Sequence, residues 1–381
     1  MHTIFLTGGA GYVGGMLADQ FSKRPDVKKI ICLDRRGMSE ILKGNDKILW
    51  LEENTAWDTW KETVRAHAPT VVIHCAWQIR EMYGKKRTQW LWNVTGSENV
   101  FDFAFDTPSV KKLIHFSTAS SYGAFSENTL EHHFIESESF RENEYLYGIE
   151  KRVVEDRLRE RYVRAKMSEP ASAEGFCGQS IPKVYVVRPA AITGPRGRVI
   201  VKRFGLQSVL KKGLPIIPIA SATWCRQFIH EDDVTDIVAK LAFSAGGGSS
   251  SGGDREYNVF NITPNSVVLA HDMAEVMGKR TFRITPFIVR ISFFILWHLS
   301  RGRIPTSKGG WKFYSYPIVL DGRKITRELG HEYKWQSRAA LEKLEGRYAE
   351  AARKLEAAES TPVDNSPQAC LPVGRDRPRL R

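Results

Sequence analysis

The sequence predicts an α/β protein built on a doubly wound parallel sheet. Three observations predict it. Short β-branched or apolar runs alternate with helix-length segments through the first half of the chain. A glycine cluster follows the first such run and opens a helix. The chain is 381 residues long and 42% hydrophobic, enough for a large core.

Taken in order, TIFLTG (3–8) reads as a buried strand and VGGMLADQFSK (13–23) as the helix after it. KKIICLD (28–34) is a second strand, and a third runs into WLEENTAWD (50–58). WDTWKETVRAHA (57–68) has a helical pattern, TVVIHCAW (70–77) a strand pattern, and WLWNVTGSENVFDFAFD (90–106) a helical one. VKKLIHFST (110–118) is a strand, residues 142–164 a long helix, and KVYVVRPAAITG (183–194) another strand. Beyond Gly194 the alternation loosens. Residues 203–213, 232–244 and 268–278 read as helices, 246–254 as a flexible loop, 256–262 as a short strand and 339–359 as a polar helix. YPIVLD (316–321) reads as a strand, TRELGHEYKW (326–335) as a helix end and turn, and 362–381 as a disordered, mildly basic tail.

Charge and cysteine content narrow the function classes. The net charge is +13, yet no basic stripe or recognised nucleic-acid module is present, so nucleic acid is not an expected partner. The excess suits a solvated surface or the steering of anionic small molecules. Cys32, Cys75, Cys177, Cys225 and Cys370 are scattered, without a C-x-x-C pair or metal-ligand spacing. That pattern suits a reducing compartment, and a cytoplasmic protein without a metal is expected. FIVRISFFILWHL (287–299) is strongly apolar but too short to span a bilayer, which takes about 20 residues. It reads as a buried or lid helix, with a helix lying in a membrane interface as the alternative.

Chemistry concentrates at three places. Gly8, Gly11 and Gly14 recur every three residues between a strand and a helix, where glycine lets backbone approach a pyrophosphate. The helix N-terminus there presents free N–H groups to the phosphates. Asp34 stands 20 residues past Gly14, placed to hold ribose hydroxyls, which favours NAD. Arg35 and Arg36 beside it keep NADP as the alternative, because arginine can accept a 2′-phosphate. In EYLYGIEK (144–151), Tyr147 and Lys151 are four apart, on one helical face. A nearby ammonium favours the phenolate, so the pair could be a tuned acid/base; the same spacing is also met on ordinary surface helices.

Together these motifs resemble the extended short-chain dehydrogenase/reductase family, the NAD-dependent epimerase/dehydratase group. TGGAGYVG, VVIHCAW, NVTGSENV, HFSTASSYG, YGIEK, VRPAAITGP and RQFIHEDDV follow the family's order over roughly residues 3–345. The resemblance implies a Rossmann-type sheet with a smaller, partly interleaved substrate-binding region: residues 1–194 for the cofactor, 195–345 for the substrate with some chain returning to the sheet, and 346–381 as a helical extension and tail. It implies catalysis by Thr118, Tyr147 and Lys151. It places the cofactor against Gly8, Gly11, Tyr12, Val13, Gly14, Asp34, Arg35, His74, Ala76, Asn93, Ser117, Tyr147, Lys151 and Pro189, and the substrate against Ala119, Ser120 and Arg226. His74 serves equally well as a satisfied core histidine, and Arg226 as an ordinary loop arginine. By resemblance, Tyr147 removes a hydroxyl proton as hydride passes to NAD, and the substrate is a nucleotide sugar turned over by an epimerase. The alternatives are a steroid- or isoprenoid-alcohol dehydrogenase and a cofactor-binding protein without catalysis. A homodimer is expected by analogy. The family's dehydratase Asp-Glu pair is missing, since Ala119 and Ser120 follow Thr118.

Overall fold

The computed structural model describes residues 1–168, 181–197, 216–244, 256–350 and 352–353. The helix expected at 203–213, the loop at 246–254, the tail, Cys177 and Cys370 lie outside them. Seven strands form one sheet: β1 (His2–Thr7), β2 (Val27–Asp34), β3 (Ile48–Glu52), β4 (Val71–His74), β5 (Lys112–Phe116), β6 (Lys183–Pro189) and β7 (Tyr257–Ile262). Their spatial order is β7-β6-β5-β4-β1-β2-β3, and every neighbouring pair is parallel. The order reverses between β1 and β4, which opens a crevice at the carboxyl ends of those two strands.

Strand alternation splits the core into two layers. Ile4 and Leu6 face one side with α1 (Tyr12–Ser22) and α4 (Glu231–Phe243), against Met16, Leu17, Ile237 and Leu241. Phe5 faces the other side with α2 (Gly96–Asp106) and α3 (Leu146–Met167), against Phe101, Phe103, Val154 and Leu158. Full burial of each large apolar side chain contributes roughly 1.5–3 kcal/mol.

Several boundaries differ from expectation for identifiable reasons. The helix expected at 57–68 shrinks to Lys61–Arg65, because Ala68 takes φ 47° directly ahead of Pro69. The helix expected at 90–106 instead starts at Lys86 and passes through a π turn at Leu91–Thr95 before α2. The run 183–194 is two strands. Pro189 has no N–H to continue the ladder, so the chain leaves the sheet and Ala191–Thr193 pairs with Phe228–His230. The helix expected at 339–359 is interrupted: Ser337–Glu342 is helical, the backbone turns extended at Lys343, and residues 349–350 and 352–353 are helical again. Val319–Leu320 pairs in parallel with His133–Phe134, and Arg323–Leu329 ends on Gly330 in the left-handed region.

Residues 256–262, read as a short strand, supply the seventh strand of the main sheet, paired with β6 from Tyr257 to Ile262. The apolar segment is α5 (Pro286–Leu299). Only Val289, Phe293 and Trp297 on it are buried, so it is not the buried helix expected. Among the described residues no helix is long and apolar enough to cross a membrane.

Candidate active site

The glycine loop joins β1 to α1 and closes on itself. Gly8 takes φ 81°, and a Cβ there would stand 2.7 Å from the Ala76 nitrogen. A Cβ on Gly14 would stand 2.2 Å from the Gly8 oxygen, so only glycine allows the turn. Gly11 caps α1 without a side-chain bond, which leaves the first N–H groups of the helix, from Tyr12, Val13 and Gly14, without partners inside it. The loop therefore fits a pyrophosphate by backbone shape and helix dipole. Tyr12 itself turns away: its hydroxyl donates to Glu231 at the start of α4.

Beside the loop lies a crevice of about 170 Å³, lined by Asp34, Asn54, Ala76, Trp92 and Asn93 among others. Asp34 is buried at the end of β2 and accepts the Ala10 N–H at 3.0 Å, tying acid to loop. Arg36 pairs with the same carboxylate at 3.2 Å. Arg35 leans over Trp92 at 4.2 Å and donates to Gln78 at 3.0 Å. Asn54 stands at the rim, and its side chain accepts the Ala56 N–H.

His74 closes β4 as a core residue. One ring nitrogen meets Thr7 at 2.7 Å and the other Ser97 at 2.8 Å. Burial first, then the Lys151 charge, pulls its pKa down to about 3, so the ring is neutral. Asn93 lies in the π turn and clamps the loop after β4: it accepts the Gln78 N–H at 2.7 Å and donates to the Gln78 carbonyl at 3.0 Å. It also donates to Glu150 at 2.7 Å, and Gln89 reaches the same Glu150 oxygen at 3.2 Å.

Helix α3 begins at Leu146 and not at 142. Glu142 accepts the N–H groups of Asn143, Glu144 and Tyr145 at 3.0, 2.8 and 2.8 Å, holding those residues in a turn. Tyr147 therefore stands in the first helical turn, with Lys151 one turn along. Thr118 acts on the Tyr147 phenol and pulls its pKa down, so the structure brings two of the expected three together. Lys151 lies one turn along with contacts of its own. Its ammonium donates to the Phe116 carbonyl and lies 3.5 Å from the centre of the Trp77 ring. Burial drives its pKa down to about 7. Against the expected lowering, burial raises the Tyr147 phenol above its ordinary value, and the Thr118 hydroxyl pulls the other way. Ser117 is buried beside Thr118, with an Oγ that has no partner among the described residues and suits a bound polar group.

Behind these residues, Arg188 on β6 forks onto Glu155 of α3 and donates to the Tyr122 hydroxyl at 2.6 Å. Ser121 donates to the Gly148 carbonyl at 3.0 Å. Pro189 ends β6 opposite Ile262. Ala119 packs with Tyr122 and Phe134, and the Ser120 N–H donates to Thr118.

The facing wall is aromatic. Tyr145 meets Phe313 at 4.9 Å between ring centres, and Trp224 stacks on Tyr314 at 6.0 Å. Arg226 and the Trp224 indole both donate to the Phe313 carbonyl at 2.6 Å. Lys312 pairs with Glu144 at 2.9 Å, fastening this wall to the start of α3.

A family model for the NAD dependent epimerase/dehydratase family matches residues 4–259, two thirds of the chain. The chain belongs to that family. It is an NAD-dependent enzyme of the extended short-chain dehydrogenase type. No curated protein matches it in sequence. Among solved structures, it is similar to a UDP-glucose 4-epimerase from Thermotoga maritima solved with UDP-glucose, at TM-score 0.63 and 21% identity over 92% of this chain and 99% of that one. The Bordetella bronchiseptica enzyme WbmG solved with NAD gives 0.61 and 20%, over 94% of each chain. A dTDP-glucose 4,6-dehydratase from Bacillus anthracis solved with NAD gives 0.62 and 16%, over 95% of this chain and 98% of that one. At these identities the likeness is one of fold.

Within this epimerase/dehydratase fold the sequence reading passed over Trp77, Gln89, Glu142 and Glu150. Trp77 ends VVIHCAW, and a ring of that size at a strand end is its signal. The Gln89–Asn93–Glu150 contact depends on the π turn, which no sequence pattern announced.

Proposed function

We propose that the protein oxidises a substrate hydroxyl at Tyr147, with residues 1–194 holding NAD and 195–345 the substrate. The observation that carries this is the placing of Tyr147 by Thr118, whose hydroxyl pulls the buried phenol's pKa down, at the carboxyl end of the sheet that also bears the glycine loop. Gly8, Gly11 and the first turn of α1 would hold the pyrophosphate, and Asp34 the ribose. Bound NAD supplies the hydride acceptor. Thr118 holds the reacting oxygen, and Tyr147 moves its proton. A raised phenol suits donation to a carbonyl oxygen; removal of a hydroxyl proton needs added positive charge nearby, and Lys151 is the buried cation one turn away. The nucleotide-sugar epimerase reading draws on the fold shared with the Thermotoga enzyme. Arg226 supports it: Phe313 takes one of its five N–H groups, leaving others for a diphosphate. The test is Tyr147→Phe assayed on UDP-glucose with NAD. Turnover should fall about 10²–10⁴-fold with NAD affinity unchanged; undiminished turnover in the variant defeats the assignment.

The aromatic wall of Tyr145, Trp224, Phe313 and Tyr314 favours a second reading, a dehydrogenase for an apolar alcohol. Mass spectrometry of small molecules released on denaturing the purified protein separates the two. Retained NAD with a sugar nucleotide supports the epimerase. Release of neither supports the dehydrogenase and directs a screen of alcohols.

A further inference from the structure

Helix α5 is apolar almost all round, with Arg290, Ser292 and His298 its polar residues. Such a helix is expected to be covered on all sides. Here the protein covers one narrow stripe. Val289, Phe293 and Trp297, spaced four apart, pack inward, Phe293 against Tyr314 and Trp297 against Tyr83. The rest faces outward: Phe287 is 67% exposed, Phe294 65% and Leu299 81%, with Ile288, Ile291 and Ile295 between them. Neighbouring Phe282 is exposed as well. An apolar face of this extent marks an interaction surface.

The charge around it identifies the partner. From residue 276 to 320 the sequence contains no Asp or Glu, but eight Lys or Arg. Arg280 and Arg283 precede α5, Arg290 lies on it, and Arg301, Arg303 and Lys308 follow it; all six are exposed. None of them forms an ion pair among the described residues. The surface is therefore an apolar ridge flanked at both ends by cations. A second copy of this chain meeting it face to face would bring the same arginines together, with no acid to offset them. A phospholipid bilayer with anionic headgroups meets both demands, taking the apolar side chains at the acyl boundary and the arginines at the headgroups. Fourteen residues make a helix about 21 Å long, too short to span but suited to lying in the plane of the interface.

We propose that α5 docks the protein onto anionic phospholipid membrane surfaces, its axis in the interface plane. The buried stripe also packs on the segment carrying Phe313 and Tyr314, so docking sets the aromatic wall of the cleft next to the bilayer. This holds whichever substrate the site takes.

The test uses the full-length protein with vesicles of phosphatidylcholine, alone and mixed with phosphatidylglycerol, and measures co-sedimentation. The protein should bind the mixed vesicles and bind pure phosphatidylcholine more weakly. Phe287→Glu with Phe294→Glu should lower binding at least about tenfold, by placing charge in the inserted face. Arg280→Glu with Arg283→Glu, on the surface beside the helix, should lower it about five- to thirtyfold on mixed vesicles and little on neutral ones. Circular dichroism and light scattering run alongside. Failure of the unaltered protein to bind mixed vesicles overturns the proposal. So does equal binding by well-folded variants of both kinds. An assembly of the unaltered protein in solution that the phenylalanine substitutions disperse, without vesicle binding, would give the face to a second copy instead.

Discussion

On the side of the cleft built by β1, β2, β4 and α1, position is set by backbone and by polar contacts between neighbouring elements. Gly14 clears the Gly8 oxygen, Asp34 takes the Ala10 N–H, and Thr7 and Ser97 hold His74 from both sides. On the opposite side, rings do the work. Trp224, Phe313 and Tyr314 come from stretches nearly a hundred residues apart and meet through short two-stranded ladders and stacking. The first wall suits a ligand whose shape never changes, such as a dinucleotide. The second can be recut by exchanging rings without disturbing the sheet.

Three substitutions sharpen that contrast. The largest expected effect is between the two walls, behind Tyr147, where β6 meets α3. Glu155→Ala leaves Arg188 buried and unpaired between β6 and α3, and should cost about 3–5 kcal/mol of unfolding free energy in urea melts. Lys151→Met should abolish turnover yet stabilise the fold. A buried lysine with its pKa near 7 carries its full desolvation cost below that pH, where folded and unfolded states are both charged. Between about pH 7 and the unfolded value near 10.5 the folded lysine is neutral while the unfolded one is charged, so the penalty shrinks as pH rises. The gain from Lys151→Met should accordingly be greatest at pH 6 and fade toward pH 10, and a gain independent of pH would contradict the burial argument. The smallest effect is on the aromatic wall. Trp224→Phe removes one indole bond to Phe313, about 1 kcal/mol, and should change KM for the substrate while NAD affinity stays constant in calorimetry. If it weakens NAD as well, the two walls are not independent.

The polar wall was legible in the sequence because its determinants are local: glycines three apart, an acid at a strand end, a tyrosine and lysine one turn apart. Six strands of the parallel sheet were legible for the same reason, from strand-length apolar runs, while the seventh showed only as a short strand without a place. What stayed hidden depends on distant contacts. Asn93, expected only as a cofactor contact, lines the crevice and is also tied by the π turn to Glu150 and Gln78. Lys151 was expected to act on Tyr147, but Trp77 and the Phe116 carbonyl lie closer to its ammonium than spacing along α3 can tell. The exposure of α5 was equally unreadable, since apolarity states what a helix wants and not what the fold gives it.

The place of β7 at the sheet edge bears on how the chain is made. Six strands are complete once the ribosome passes Pro189, but the seventh arrives only after residues 190–256 have been translated. At about 5–20 residues per second that is a wait on the order of several seconds. Throughout it, β6 presents the open edge of Val184–Val187 to other nascent chains, a template for wrong pairing. Synthesis of this protein therefore has a vulnerable interval, and slow translation of residues 190–256 should lower the yield of folded enzyme more than slow translation elsewhere.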